Sequence, residues 1–272
     1  MTTKRWDSRR VYAALVFVPL FYALVRYASP IAFFALVAIA ALLAVAEFYR
    51  LHFRDEGLPA AVMTLGFGAT ALILASFQWP GGISERTLVL AIVIGTLLHR
   101  LCARRTVTHG LMEPAVTAFG PLYIGLCLGH LLLTRAMPEG EFLIFGLFLI
   151  TWAADTGAYY VGTSLGRHKL APSISPNKTV EGAAGGLTAA TVTAFLVQAW
   201  FLPSLTVVDC LAVACLLTVA GLLGDLAESA MKRGAGVKDS GSIIPGHGGM
   251  LDRLDSLLFT SPAFYYYVWL VK

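Results

Sequence analysis

The feature that most constrains this chain is a succession of long apolar stretches that are separated by short polar segments. Windows of about 20 residues detect these stretches, which are roughly 15 to 22 residues long. Since 57% of the residues are hydrophobic and only 13% are charged, the chain carries more apolar surface than a soluble core could bury. The stretches match helices that cross a bilayer and lack the alternation of an outer-membrane barrel. The sequence therefore predicts an all-α, polytopic integral membrane protein.

About nine transmembrane helices are predicted, without an internal repeat or a linker between them. The first stretch has the basic and apolar regions of a signal peptide, but Arg26 interrupts it and no clear cleavage site follows, so we expect a retained span. We assign a single domain to residues 1–272, with a hydrophobic amino-terminal half, 1–140, and a carboxyl-terminal half, 141–272, that holds the polar motifs. The predicted spans are residues 11–28, 30–48, 58–79, 87–101, 113–134, 142–161, 183–201, 206–224 and 257–271.

The distribution of basic residues orients these spans. Nine crossings place the two termini on opposite sides, and 16 of the 20 Lys and Arg residues then fall on the amino-terminal side. The other side receives only Arg26, Arg86, Arg135 and Lys272. Basic residues are enriched in cytoplasmic loops, so we expect a cytoplasmic amino terminus and a carboxyl terminus outside. Without the two richest loops, after the sixth and eighth spans, the bias is still 9 against 4.

Those two loops, residues 162–181 and 225–256, are rich in Gly, Pro, Ser, Lys and Asp, and are longer than an ordinary connection needs to be. In the second loop, Asp225, Glu228, Ser229 and Lys232 lie at positions i, i+3, i+4 and i+7. This spacing places two carboxylates, a hydroxyl and an ammonium on one face of a helix that continues from the eighth span. The alternative is a solvated helix end in which Glu228 and Lys232 form a weak surface pair.

The next segment gathers charged side chains around glycines. Glycine lets the backbone approach phosphate oxygens, and successive free N–H groups can form an anion-binding nest. The alternative is a turn followed by a helix whose Asp252 and Asp255 cap its amino terminus. Capping explains one aspartate but not the cations that accompany it, so we favour a functional interpretation. The charged members are Lys238, Asp239, His247, Asp252, Arg253 and Asp255, and the turn residues are Pro245, Gly246, Gly248 and Gly249.

The loop after the sixth span contains a second candidate group: Ser175, Lys178, Thr179 and Glu181. The alternative is helix capping followed by packing of the small residues Gly182, Gly185 and Gly186, although that leaves Lys178 unexplained. Asp155 is an intramembrane carboxylate near the cytoplasmic end of the sixth span, and such a residue is a functional candidate. Its alternative is a polar helix contact with Thr156 or Tyr159.

Three other acidic residues lie near span ends, where snorkelling or capping accounts for them, and we leave them out of the site. They are Glu47, Glu113 and Asp209.

Residues 229–255 resemble the complete signature of the phosphatidate cytidylyltransferase family. The resemblance extends to residues 155–159 and 175–186, whereas the amino-terminal half resembles the family only in its hydrophobicity. Val180 departs from the family pattern, because many relatives carry an aromatic there, and this concerns a packing detail. The matching positions are Ser229, Ala230, Met231, Lys232, Arg233, Lys238, Asp239, Gly241, Ile244, Pro245, His247, Gly248, Gly249, Met250, Asp252, Arg253, Leu254 and Asp255.

This resemblance implies transfer of a cytidylyl group from CTP to phosphatidic acid, which gives CDP-diacylglycerol and pyrophosphate in phospholipid biosynthesis. It further implies a homodimer in the lipid of a bacterial inner membrane, with the active site on the cytoplasmic face and no nucleic-acid partner. The implied cofactor is Mg²⁺, with K⁺ as an accessory cation.

The residue types fit this chemistry, because nucleotidyl transfer brings several negative charges together and cations must neutralise them. Asp225 and Asp252 are our first candidates for metal ligands, with Glu228 and Asp255 as secondary candidates. The second pKa of a phosphate monoester is about 6, so no general base is required and His247 is expected to bind or position phosphate. The candidate catalytic residues are Lys232, Arg233, Lys238, Asp239, His247, Arg253 and Ser229. The candidate substrate-binding residues are Lys178, Ser175, Thr179, Glu181, Asp155, Gly248 and Gly249.

Other functions fit the sequence less well. A CTP-dependent enzyme acting on another lipid phosphate, such as an ether lipid or a polyprenol, would share the same headgroup chemistry. A transporter would show ionisable residues near mid-span, broken helices and repeated halves. An assembly factor without catalysis would leave the dense set of Lys, Asp and His unexplained.

Overall fold

A computed structural model describes residues 19, 21–27, 29–53, 57–103, 111–238, 240, 241 and 249–272. The described part of the chain is mainly helical, and residues 21–27 are helical in addition to the elements with defined bounds. These elements are α1 (Pro30–His52), α2 (Ala60–Gln78), α3 (Glu85–Cys102), α4 (Met112–Ala136), α5 (Gly140–Leu165), β1 (Lys169–Ala171), β2 (Ser175–Thr179), α6 (Val180–Trp200), α7 (Val207–Gly234) and α8 (Leu251–Val271).

Six of these helices, α1, α2, α4, α5, α6 and α7, are long and apolar enough to cross a membrane. The prediction of an all-α membrane protein is therefore confirmed. The count of nine spans is not, because α3 and α8 are not among the six and the first predicted span, 11–28, lies largely outside the described residues. Both helices carry charge: Glu85 and Arg100 in α3, and Asp252 in the first turn of α8.

Apolar side chains lie on the outside of the bundle as well as in its core. The interior contains fully buried large residues such as Phe48, Ile144 and Leu217, while Leu72 and Val192 remain more than half exposed. A helix that is apolar on all sides is typical of a chain whose solvent is partly lipid. The apolar outer surface therefore agrees with a composition in which 57% of the residues are hydrophobic.

Small residues bring α5 and α6 into close contact. A Cβ on Gly185 would lie 2.4 Å from Val161 Cβ, and a Cβ on Gly186 would lie 2.8 Å from the carbonyl oxygen of Ala154. Only glycine permits the two backbones to approach this closely. The glycines after Glu181 therefore serve helix packing, which was the alternative considered for them.

The described residues of both polar loops include regular secondary structure. After α5 the chain forms an antiparallel hairpin in which Lys169 pairs with Thr179 and Ala171 with Ser175. Thr179 then caps α6 by accepting a hydrogen bond from the Gly182 N–H at 3.1 Å. In the second loop, α7 continues to Gly234, so the connection to α8 is confined to residues 235–250. The hairpin and this connection lie at the same end of the bundle.

The opposite end of the bundle carries tryptophans and a separate set of ion pairs. Trp79, Trp200 and Trp269 are 53%, 81% and 60% exposed, and each lies at or near the carboxyl end of its helix. Asp209, in the first turn of α7, accepts a hydrogen bond from Tyr267 Oη at 2.7 Å and pairs with Lys272 at 2.7 Å. Exposed tryptophans near the ends of apolar helices are typical of a membrane interface.

Candidate active site

The last turns of α7 hold four of the predicted site residues on one face, as their spacing predicted. Ser229 Oγ donates a hydrogen bond to Asp225 Oδ1 at 3.3 Å, and Lys232 Nζ lies 2.6 Å from Glu228 Oε2. Glu228 is 0% exposed. The alternative of a solvated helix end is therefore wrong for this pair, because burial strengthens the interaction between the ammonium and the carboxylate.

Lys232 also joins α7 to the start of α8. Its Nζ lies 2.6 Å from Asp252 Oδ1, while Asp252 Oδ2 accepts hydrogen bonds from Gly249 N–H at 2.9 Å and from Ser240 Oγ at 2.9 Å. Asp252 precedes the predicted span 257–271. Burial alone would raise the pKa of its carboxyl, but Lys232 and the Gly249 N–H outweigh that effect and hold the pKa at about 2. Asp252 is thus an ionised carboxylate that fixes Lys232.

A second group of charges forms around Lys178 of β2. Its ammonium pairs with Asp225 Oδ2 of α7. Asp255 of α8 interacts electrostatically with both Asp225 and Asp155 of α5. Asp155 also lies near α8, because Ser256 Oγ is 3.5 Å from its Oδ1. Asp155 and Lys178, which the sequence analysis singled out separately, therefore belong to the same group of charges.

Close contact between α7 and α8 makes this convergence possible. A Cβ on Gly224 would lie 2.4 Å from the carbonyl oxygen of Asp255, so only glycine fits at this position. The residue that follows Gly224 is Asp225. Because Gly224 has no side chain, α7 approaches α8 closely at this point, and Asp225 lies close to α8 as well.

The chemistry of this group suits a hard divalent cation. The carboxyl groups of Asp155, Asp225 and Asp255 lie around the ammonium of Lys178, and such a group of oxygen donors is of the kind that Mg²⁺ prefers. Among the described residues, no set of three or more His, Cys, Asp or Glu is already arranged as a metal site. Asp225 pairs with Lys178, whereas Asp252 pairs with Lys232. Binding of one metal ion by both aspartates stays a prediction.

Three predicted cationic residues lie on the exposed side of the site. Arg233 follows Lys232, and its Nε donates to the Ile174 carbonyl at 3.4 Å, which ties α7 to the hairpin. Lys238 is exposed at a bend, and Arg253 is exposed in the first turn of α8. Asp239, His247 and Gly248 lie outside the described residues, so their predicted roles are untested.

The other predicted residues of the hairpin make structural contacts. Thr179 is buried and caps α6. Glu181 accepts hydrogen bonds from the backbone N–H groups of Arg167 and His168 at 3.0 and 3.1 Å, and its Oε1 lies 2.5 Å from His168 Nδ1. Ser175 opens β2. The Thr179 contact matches the capping alternative, and substrate binding by Ser175, Thr179 and Glu181 stays a prediction.

Sequence reasoning missed two residues of the amino-terminal half that lie against this site. Glu47 of α1 is 1% exposed and accepts a hydrogen bond from the Leu251 N–H at 2.8 Å, so span-end snorkelling does not explain it. Tyr123 of α4 interacts electrostatically with Glu228 and Asp255, and its hydroxyl has no hydrogen-bond partner among the described residues. The signal for Glu47 was a carboxylate inside a long apolar helix.

Comparisons with known proteins give the context of this geometry. The model of the cytidylyltransferase family matches residues 8–271, so the match includes the amino-terminal half. The chain is 42% identical to the phosphatidate cytidylyltransferase of Bacillus subtilis (strain 168) over 192 residues, which are 70% of this chain and 71% of that protein. It is 38% identical to the protein of that name in Staphylococcus haemolyticus (strain JCSC1435) over 198 residues, 72% and 75% of the two chains. For Staphylococcus aureus (strain COL), the identity is 34% over 253 residues, 93% and 94% of the two chains.

Proposed function

This chain belongs to the cytidylyltransferase family, and from that premise we propose that it transfers a cytidylyl group from CTP to phosphatidic acid. The products are CDP-diacylglycerol and pyrophosphate. The observation that carries the proposal is the convergence of Lys178, Asp225, Lys232 and Asp252 from three elements at one end of an apolar bundle. A site at this boundary admits CTP from water and a lipid phosphate from the membrane.

In the proposed reaction, a phosphate oxygen of phosphatidic acid attacks the α-phosphorus of CTP. A new P–O bond forms to that phosphorus, and its bond to the bridging oxygen of the β-phosphate breaks in line, so that pyrophosphate leaves. The attacking phosphate has a second pKa of about 6 and is largely dianionic at neutral pH. The site therefore needs to position and neutralise the reactants rather than to remove a proton.

Two kinds of cation are available for this neutralisation. Lys232 is held between Glu228 and Asp252 before substrate arrives, so its ammonium is preorganised. Arg233 and Lys238 are exposed, which suits them to meet the triphosphate as it enters from the aqueous side. We assign the exposed cations to CTP binding, and the half-buried Lys178 and Lys232 to stabilisation of the transition state.

We further propose Mg²⁺ as the cofactor, with K⁺ as an accessory cation. When bound, Mg²⁺ neutralises phosphate oxygens and orients them for displacement. Asp225 is the leading ligand, and Asp155 and Asp255 are the carboxylates grouped with it. Asp252, whose carboxylate pairs with Lys232, would be a further ligand. Glu228 pairs with the Lys232 ammonium from the buried side of α7 and holds that ammonium in place.

The finer membrane arrangement is also proposed. We infer nine spans, with the amino terminus and the site in the cytoplasm and the carboxyl terminus outside, in the plasma (inner) membrane of a bacterium. Support comes from the basic residues near the site and from the exposed tryptophans at the other end of the bundle. A homodimer is proposed from the family resemblance.

The proposed function is tested by incubating the detergent-purified protein with labelled CTP, phosphatidic acid and Mg²⁺. A lipid-soluble cytidine product is expected. Diacylglycerol, which lacks the attacking phosphate, serves as the matched control and should give no product. Competition among phosphatidic acid, an ether-lipid phosphate and a polyprenyl phosphate identifies the preferred acceptor. Preference for one of the latter two would contradict the assignment to phosphatidic acid.

A further inference from the structure

Glu47 of α1 is distant from the signature residues in sequence but lies against them in space. Its Oε2 accepts a hydrogen bond from the Leu251 N–H at 2.8 Å and lies 3.2 Å from Ser240 Oγ. Its Oε1 has no hydrogen-bond partner in the part of the chain that the structure describes. Burial of a carboxylate in an apolar bundle is costly, so packing alone does not account for Glu47 at this position.

Two glycines leave room for the Glu47 carboxylate. A Cβ on Gly249 would lie 2.4 Å from Glu47 Oε2, and a Cβ on Gly241 would lie 2.8 Å from Glu47 Oε1. Side chains at either position would displace the carboxylate or the backbone. Glu47 therefore touches both described ends of the connection between α7 and α8, residues 240–241 on one side and 249–251 on the other.

The groups around Glu47 also hold Asp252. Ser240 Oγ, which contacts Glu47, donates to Asp252 Oδ2 at 2.9 Å, and the Gly249 N–H donates to the same oxygen at 2.9 Å. Asp252 in turn lies 2.6 Å from Lys232 Nζ. A shift of either end of the connection would therefore move the carboxylate that fixes the Lys232 ammonium.

We propose that Glu47 is a positioning residue that fastens both ends of the α7–α8 connection and so sets Asp252 and Lys232 for the triphosphate. The inference rests on the proposed function and deepens it, because it gives the hydrophobic amino-terminal half a part in the site. Glu47 acts through Ser240, Leu251 and Asp252 rather than on the reacting atoms.

The first test compares three variants in steady-state kinetics. Glu47→Ala removes the acceptor, and kcat/KM for CTP should fall about 10- to 100-fold, as is usual when a group that supports a site is lost. Glu47→Gln keeps a carbonyl acceptor and should recover most of this loss. Val45→Ala is the matched control, because it removes buried volume from the same helix. It should lower thermal stability while kcat/KM stays near that of the wild type.

The second test does not depend on activity. Amide hydrogen exchange of the peptide that contains residues 249–252 should be faster in Glu47→Ala than in the wild type, since the Leu251 N–H loses its acceptor. The same peptide should exchange at the wild-type rate in Val45→Ala. If Glu47→Ala does not purify as a folded protein, Gly241→Ala takes its place, because its new Cβ crowds Glu47 Oε1.

The outcomes separate this inference from the proposed function. A wild-type protein without cytidylyl transfer would contradict the proposed function, and the exchange measurement would still decide whether Glu47 fastens the connection. Wild-type exchange and kcat/KM in Glu47→Ala would overturn the inference. So would equal losses in Glu47→Ala, Glu47→Gln and Val45→Ala, because they would indicate a purely structural role.

Discussion

At the scale of single residues, two lysines organise the site by holding carboxylates from other elements. Lys178 of β2 pairs with Asp225 of α7, and Lys232 of α7 pairs with Asp252 of α8. The charges of these pairs are partly desolvated, so each ammonium is held firmly and is already oriented before substrate arrives. A triphosphate would compete with the carboxylates for the same ammonium groups. Loss of either carboxylate should therefore affect catalysis more than folding.

Asp225→Asn and Asp252→Asn test the metal assignment, because each keeps the size of the side chain but removes a charge. We expect kcat/KM to fall about 100- to 1,000-fold in both, the scale on which one electrostatic stabiliser acts. The Mg²⁺ concentration needed for half-maximal activity should rise. Asp209→Asn, at the other end of α7, is the matched control and should retain kcat/KM. An active Asp252→Asn enzyme with unchanged Mg²⁺ dependence would assign Asp252 to helix capping, since Asn caps nearly as well as Asp.

The exposed cations give a second prediction at this scale. Lys238→Gln and Arg253→Gln should each lower kcat/KM for CTP by about 10- to 100-fold, because a hydrogen bond to a charged group contributes about 1.5 to 3 kcal/mol. Arg86→Gln removes an exposed charge from the other face and serves as the control. Initial rates measured over a range of CTP concentrations give kcat/KM for the two variants and the control. Wild-type kinetics in both variants would show that Lys238 and Arg253 are solvated residues without a part in CTP binding.

Some residue placements could be predicted from sequence and others could not. The spacing of Asp225, Glu228 and Lys232 predicted one helix face, because such neighbours are set by local geometry alone. The meeting of Asp155 with α8 and of Glu47 with Leu251 could not be predicted, because both depend on how apolar helices pack. Those helices are hydrophobic on all sides, so their sequences do not reveal which face points inward.

At the scale of elements, the site depends on close contacts between pairs of helices. The α5–α6 contact places Asp155 near the hairpin that carries Lys178, and the α7–α8 contact places Asp225 near Asp255. Glycine composition indicated close packing, but the sequence did not predict the short hairpin. Its strands, of three and five residues, are too brief for a periodic pattern and contain charged and turn residues.

Substitution of a packing glycine should therefore affect both stability and catalysis. In Gly185→Ala the new Cβ would lie 2.4 Å from Val161 Cβ, and we expect a loss of about 1 to 3 kcal/mol from overpacking together with a lower kcat. Gly95→Ala in α3 is the matched control, because no atom lies within 4 Å of its new Cβ. Thermal unfolding in detergent should show a lower Tm for Gly185→Ala only. Equal Tm values for the two variants would contradict the packing role.

At the scale of the whole molecule, an apolar helical bundle separates two ends that carry polar residues. The site end gathers the hairpin and the α7–α8 connection, while the other end presents Trp79, Trp200 and the Asp209–Lys272 pair. Hydropathy was sufficient to predict a helical membrane protein, because helix length and lipid thickness are directly related. It did not establish the number of spans, since α3 and α8 combine apolar stretches with charged ends.

The proposed topology predicts which positions an impermeant thiol reagent reaches in intact cells. In a cysteine-free background, Ser173→Cys in the hairpin turn should be protected, while Ser204→Cys before α7 should react. Both side chains are exposed, so burial does not explain a difference between them. Disruption of the cells should make Ser173→Cys reactive and serves as the control. Efficient labelling of Ser173→Cys from outside would refute a cytoplasmic site.

The most direct test of cytidylyl transfer uses two reactions that differ only in the position of the label in CTP. The purified protein is incubated with phosphatidic acid, Mg²⁺ and CTP that carries ³²P in either the α- or the γ-phosphate. Because the α-phosphorus is transferred and pyrophosphate leaves, we expect the α-label in the lipid phase and the γ-label in aqueous pyrophosphate. Recovery of the γ-label in lipid, or of neither label, would contradict cytidylyl transfer.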